Sequence, residues 1–511
     1  HAVSTRELVP PAWGRTLSPR ATAATAVVCL ALALGIGLTA VGIAPLLTLA
    51  VAGGLVAAAG AAASIEIAVA LLVVTVAVFN RSELFVAAIP FFGGGLRPTD
   101  MLLATALGGA LVRALLRRVH RQRDPFAPNA RLPATALVAT AFVAWAVLSS
   151  ILSIADGVNY KESLVELRPL LHYALIVPLV AELTPDGVRR ITRLLVIAAA
   201  AAGVKALALF IGGDTGNVAL FTGGVARVTD VEFMYLISGI VLALLYRAER
   251  VWSRLVLVPV AVLCLGGLAV TFFRAAWLAL GVALAFVFWK GNRAGRRAVL
   301  RFATIGTLAL PLLTVVMAVH TGQSVSLVVS LAQRLASIGD YREDVSAQHR
   351  LSEWQAALAR IGEQPLVGNG LGSRVGFYSP MYDHVKIKVG FWSNDIYIHN
   401  GYLWLATKLG LVGLTLFLAL LVTSLRTAVS TLGRGPPAEA RALLLGFAAI
   451  FVALGVSSVF GAMFSGDTLT PFIAFAVAAV HVLAREPGDA TPSVKAMTPK
   501  PEPAVPGGNL G

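Results

Sequence analysis

Five side chains in this 511-residue chain combine reactive chemistry with positions beside apolar runs or in a long polar segment: Arg168, Arg227, Arg274, Arg350 and His399. Arg168 and Arg227 stand at the edges of apolar runs. Arg274 lies between two such runs in TFFRAAW, and Arg350 and His399 flank the core of a long polar segment. Guanidinium groups that converge bind a multiply charged anion through paired hydrogen bonds. Where such groups sit at a bilayer surface, a lipid diphosphate is the natural anion. If that diphosphate leaves during a reaction, arginines stabilise its developing charge without a metal. A neighbouring imidazole can take the proton of an attacking sugar hydroxyl, because its pKa lies near the working pH. The set would suit glycosyl transfer from a polyprenyl-diphosphate sugar. Each arginine also has a plainer use, since one at a span end can simply reach the headgroups.

The elements that must position these residues are membrane helices. Apolar residues make up 57% of the chain and charged residues 13%, against roughly 25% charged in a soluble domain. Mean hydropathy is +0.81. Runs long enough to span a bilayer, about 20 residues each, occur near 22–42, 45–63, 64–80, 99–116, 134–154, 168–184, 191–212, 233–248, 255–272, 274–290, 299–319, 401–424, 441–463 and 467–484. The first is too long for a signal-peptide core and is read as a span that stays. The expected fold is an all-α polytopic membrane protein with about 12–14 transmembrane helices. The short stretch Leu84 to Phe92 reads as interfacial or re-entrant.

The net charge of +15 would suggest nucleic acid in a soluble protein. Here the basic residues gather in short loops, at Arg117 to Arg131, Arg189 to Arg193, Arg247 to Arg254, Lys290 to Arg301 and Arg426 to Arg441. With the spans above, all five loops and both termini fall on one side, which the positive-inside rule makes the cytoplasm. Nucleic acid is therefore not an expected partner; the bilayer is. The two cysteines, Cys29 and Cys264, lie inside apolar runs and offer no disulfide frame or zinc site.

The resulting organisation is a cytoplasmic segment (1–21), a transmembrane bundle (22–319), a large extracytoplasmic loop that is partly helical (320–400), C-terminal transmembrane helices (401–485) and a disordered cytoplasmic tail (486–511). Inside the loop, Leu351, Trp354, Leu358 and Ile361 recur at helical spacing and predict an amphipathic helix over Arg350 to Ile361, ended by Gly362 and Pro365. VGNGLGS (367–373) is a glycine-rich turn, without the lysine of a P-loop. Asn400 is placed to cap the span that follows. Lys205 reads as the main charge within a span. The loop carboxylates Asp340, Glu343, Asp344 and Glu353 read as solvated. No short outer loop carries a paired-aspartate metal site, and there is no HExxH, which disfavours a metal-dependent transferase.

Three segments, taken in order, resemble the O-antigen ligase and polymerase family. HRLSEWQAALARIGEQPLVGNGLGS (349–373) is similar to its core signature of an arginine, a tryptophan, a proline and a Gly-x-Gly-x-Gly turn. IHNGYLWLATKLGLVGLTLF (398–417) resembles its His-Asn followed by a span with a Gly-Leu-x-Gly step. TFFRAAWLAL (271–280) resembles its Ser-Arg-Gly segment, with FRA in place of SRG, so that a hydroxyl beside Arg274 is lost. The resemblance covers roughly residues 230 to 425. It implies a metal-independent, inverting glycosyltransferase without a cofactor, in the plasma membrane of a bacterium. The donor would be an undecaprenyl-diphosphate-linked glycan, the acceptor a glycan or lipid, and the active site extracytoplasmic. Carried over, His399 matches the base and Arg274 the arginine that holds the diphosphate. Arg350 matches the arginine before the tryptophan; Arg227 and, more loosely, Arg168 complete the set. A transporter or flippase without transfer chemistry is the alternative. A non-catalytic glycan-binding protein is a third reading.

Overall fold

In a computed structural model, the structure describes residues 59–79, 89–91, 94–96, 98–122, 133–212, 228, 231–320, 345–382 and 388–486. The helices in chain order are α1 (Ile65–Phe79), α2 (Pro98–Gln122), α3 (Ala134–Ala155), α4 (Tyr160–Leu171), α5 (Ile176–Glu182), α6 (Pro185–Ile211), α7 (Phe233–Ala248), α8 (Arg254–Val270), α9 (Arg274–Lys290), α10 (Arg293–His320), α11 (Val345–Glu363), α12 (Gly401–Leu432), α13 (Ala438–Ser457) and α14 (Thr470–Leu483). A 3₁₀ turn, His172–Leu175, joins α4 to α5 into one continuous rod. The spans expected from residue 64 onward are all helical. Those at 22–42 and 45–63 lie essentially outside the described residues.

Among the described residues, six helices are long and apolar enough to cross a membrane, among them Tyr160–Glu182 and Gly401–Leu432, and four more are apolar but shorter. The protein is an all-α polytopic membrane protein. The two departures are small antiparallel hairpins. One pairs β1 (Ile89–Phe91) with β2 (Gly94–Leu96), at the end of the stretch expected to be re-entrant, whose residues 84–88 lie outside the described residues. The other pairs β3 (Val375–Tyr382) with β4 (Lys388–Asp395) in the polar loop.

Helices α7 and α14 sit at the centre. Nearly every side chain of both is buried, and both are apolar all round, as a helix surrounded by other helices must be. Around them, α6 and α8 cross at Gly203 and Gly267, where a Cβ on Gly267 would stand 2.8 Å from the Gly203 Cα. Small residues allow this approach, which is how helices associate where no hydrophobic effect drives them.

The bundle has a basic end. Arg189 holds Asp186 at 2.7 Å and Glu486 at 2.6 Å, Arg190 holds Glu66 at 2.6 Å, and Arg193 holds Glu439 at 2.7 Å. Arg441 reaches Glu249 at 3.4 Å, and the Asn292 amide donates to the same carboxylate. The loops read as basic from sequence after α5, α7, α9 and α12 thus meet at one end. The ends that carry the reactive residues lie at the other.

Candidate active site

The His399 imidazole is held by a carboxylate read from sequence as solvated. Glu353 is 2% exposed. Its Oε2 accepts the His399 backbone N–H at 2.8 Å, and its two oxygens stand 3.1 and 3.2 Å from His399 Nδ1. An ionised carboxylate can only accept, so Nδ1 carries the hydrogen and Nε2 keeps its lone pair. This is the base-and-orienter arrangement known from hydrolytic triads. Asp340, Glu343 and Asp344 lie outside the described residues.

The helix that supplies Glu353 is the predicted one, extended to Val345–Glu363, but its buried face is not the predicted face. Leu351 and Leu358 are 48% and 57% exposed, while Glu353 and Ala357, four residues apart, are buried. The reactive face of α11 turns inward because it packs on β3 and α12. His349, one turn before Glu353, joins that face. Its Nδ1 lies 2.5 Å from the Ser379 hydroxyl. Its ring meets Phe377 edge-on at 5.1 Å and the His399 ring at 5.9 Å. The hairpin presents these partners by period-two alternation: Val375, Phe377 and Ser379 point inward, while Tyr378 and its register partner Trp392 point out. Burial lowers the His349 pKa, with Arg350 and His399 pushing the same way and Glu353 opposing. Arg350 thus belongs electrostatically to the same cluster.

Asn400 caps α12 as expected, its side chain accepting from the Tyr402 and Leu403 N–H groups at 3.0 Å each. The Gly401 N–H donates to the Ser458 carbonyl at 2.7 Å, fixing the start of α12 to the end of α13. His399 is therefore held by its neighbours in sequence as well as by Glu353.

Beneath His399, α12 is broken. Gly410 has φ 67° and ψ −175°, a conformation open only to glycine. Broken helices survive at membrane depth when other groups take the freed backbone. Here the glycine-rich turn does so. Asn369 N–H donates to the Thr407 carbonyl at 2.7 Å and Gly370 N–H to Lys408 at 3.1 Å; Leu411 N–H returns to Pro365 at 2.8 Å. The Trp145 indole takes the Leu409 carbonyl at 2.8 Å. Gly368, Gly370 and Gly372 have φ of 77°, 82° and 82°, and the three glycines form the turn that fills this break.

The principal buried charge is Lys408, not Lys205. Lys408 is 0% exposed and stands 3.1 Å from Glu166 of α4. Its ammonium also donates to the Ser373 carbonyl. Glu166 accepts from the Gly372 N–H at 2.5 Å and from the Trp404 indole at 3.0 Å. The pair bolts the glycine turn to two helices. Lys205 does lie in a helix, α6, and is partly buried. The lysine of TKLGLVG was visible in the sequence, and its place inside an otherwise apolar span was the available signal.

Of the arginines, Arg350 shares α11 with Glu353. Arg274 opens α9 two residues after Phe272, whose φ of 48° is an outlier for a bulky residue. Phe273 packs on Phe233 at 5.1 Å, placing the start of α9 beside the start of α7. Arg168 holds Asp467 at 2.7 Å and Asp100 at 3.6 Å. It anchors the turn before α14, from which Thr468 donates to Glu232 at 3.3 Å. Arg227 lies outside the described residues.

His349, Glu353 and His399 also offer ligand atoms within 4.8 Å of one another, a set of the kind that can hold a divalent cation. Both Glu353 oxygens are already engaged by His399, and His349 Nδ1 by Ser379.

The fold is a polytopic helical bundle, and at one end it presents a histidine held by a buried carboxylate beside an arginine-bearing loop helix. Residues 259–418 match the family model described as O-Antigen ligase. The match takes in Arg274, Arg350, Glu353, His399 and Lys408 and lies within the region of resemblance read from sequence. No curated protein matches the chain.

Proposed function

We propose that this protein is a metal-independent, inverting glycosyltransferase that uses an undecaprenyl-diphosphate-linked glycan on the extracytoplasmic face of a bacterial plasma membrane. The observation that carries this reading is the His399 ring held by buried Glu353 with Nε2 left as acceptor. The acceptor hydroxyl gives its proton to Nε2 while its oxygen attacks the anomeric carbon from the face opposite the diphosphate. The bond from that carbon to the diphosphate oxygen breaks, and undecaprenyl diphosphate leaves. Glu353 stabilises the imidazolium that forms. Arg274 and Arg350, with Arg227, offset the negative charge gathering on the leaving diphosphate. Arg168 enters through the turn it anchors. The loop 320–400 would carry the site outside, with both termini in the cytoplasm. The chemistry is the same for a ligase and a polymerase, which differ in the acceptor.

The test supplies purified protein with a defined lipid-diphosphate glycan and candidate acceptors, in excess chelator. Formation of an inverted glycosidic product with release of the lipid diphosphate supports the reading. Abolition of transfer by the chelator, restored by added metal, would instead make His349, Glu353 and His399 a metal site. A transporter is the second reading, because α12 is discontinuous at Gly410 and transporters bind cargo at such breaks. Here the freed carbonyls are taken by the chain itself. Donor that moves across vesicles unconsumed would favour transport.

A further inference from the structure

Two sets of arginines at the basic end of the bundle differ in their partners. Arg189, Arg190, Arg193 and Arg441 each hold a carboxylate. Arg247, Arg250, Arg254, Arg297 and Arg301 hold none among the described residues, and all five line one cavity of about 840 Å³ between α7, α8 and α10. Among the described residues no acidic side chain lines it. These five guanidiniums, most of them exposed, give the groove a positive rim that no lining carboxylate neutralises, which suits an anionic headgroup.

The backbone supports the same view. Arg250 follows the end of α7 with φ 59°, and Val251 N–H returns to the Tyr246 carbonyl at 2.8 Å. That closing position of a helix favours glycine. An arginine there is kept against the conformational preference and adds a cation to the rim. The C-terminal dipole of α7 favours a cation or two. It does not account for Arg297 and Arg301, which lie on the early turns of α10.

Below the arginines the cavity is apolar. Val258, Val262 and Leu265 of α8 face Phe302 and Ile305 of α10 across it. From Arg254 to Leu265 the groove runs roughly 16 Å at the helical rise. Trp252 stands at the rim, partly buried against Tyr246, the level at which tryptophan meets a membrane interface. A free phosphate would use the arginines and leave this length of groove empty.

We propose that the cavity binds one anionic phospholipid of the surrounding bilayer, with its phosphate among Arg247, Arg297 and Arg301 and an acyl chain along α8. Basic pockets between membrane helices hold anionic headgroups elsewhere by the same physics. The site is separate from His399 and does not depend on the transfer reaction.

Native mass spectrometry of the purified full-length protein tests this with phosphatidylglycerol, phosphatidylcholine and inorganic phosphate as probes. The parent should retain one phosphatidylglycerol and release phosphatidylcholine, and millimolar phosphate should not displace the lipid. The R247Q/R297Q/R301Q variant should retain phosphatidylglycerol at least tenfold less. Should that variant fail to fold, V262W decides: it fills the groove from an exposed position with every arginine intact, and should also cut retention tenfold. R434Q, outside the cavity, should retain the lipid as the parent does. Equal retention of phosphatidylcholine, displacement by phosphate, or parent-like retention in V262W would overturn the proposal.

Discussion

His399 and Glu353, 46 residues apart in sequence, are joined twice, once through the His399 backbone N–H and once through its ring. A single buried carboxylate thereby sets both where the imidazole stands and which nitrogen is free. Glu353→Gln keeps the volume and removes the charge that stabilises an imidazolium. Transfer should fall at least tenfold and by no more than the roughly 10²–10⁴ that a positioned base supplies, with kcat reduced and donor binding retained. A steady-state assay in which only KM changes would contradict this role.

The Lys408–Glu166 pair holds the glycine turn at the break in α12. Lys408→Met leaves a buried carboxylate without its cation and should destabilise the protein by about 3–5 kcal/mol. Adding Glu166→Gln should recover part of that loss, because the uncompensated charge is gone. Thermal unfolding of the two variants in detergent measures it. Additive losses would mean that the two side chains do not act as a pair.

Two glycines with left-handed backbone separate strain from crowding. Gly157 has φ 90° with open space around it, whereas a Cβ on Gly370 would lie 2.3 Å from the Ser153 Cβ. Gly157→Ala should cost about 1–2 kcal/mol from the backbone alone. Gly370→Ala should cost roughly 1–3 kcal/mol more through overpacking, and should also lower activity by moving the turn under His399. Comparable melting temperatures for the two variants would refute the close approach.

Burial lowers the pKa of His349 below its ordinary value of 6.5. Below pH 6.5 the unfolded chain then binds a proton that the folded chain resists. Stability is full above that pH and declines as the pH falls through the lowered folded pKa. His349→Gln should flatten the fall in melting temperature between pH 7.5 and pH 5. An unchanged slope would place the pH dependence elsewhere.

Much of this arrangement was legible in the sequence because it rests on local rules. The helix around Trp354, the Asn400 cap and the glycine-rich turn follow from spacing, capping and backbone freedom, and each is in place. What was not legible depends on partners distant in the chain. Glu353 looked solvated because Leu351, Trp354 and Leu358 mark the apolar stripe of α11. In a membrane protein that stripe need not face the core, and here the polar face does. Lys408 found its partner in Glu166, 242 residues away by their numbers. The β3–β4 hairpin was hidden by Pro380, which argues against a strand unless the strand is short and at an edge. The break at Gly410 cannot be read from a span whose composition is continuous.

The most direct test of the account is transfer by His399→Ala with a defined lipid-diphosphate glycan, followed together with donor binding. The variant should insert, fold and bind donor like the parent while forming no product. Product at the parental rate would show that the proton goes elsewhere and that the oriented imidazole is not the base.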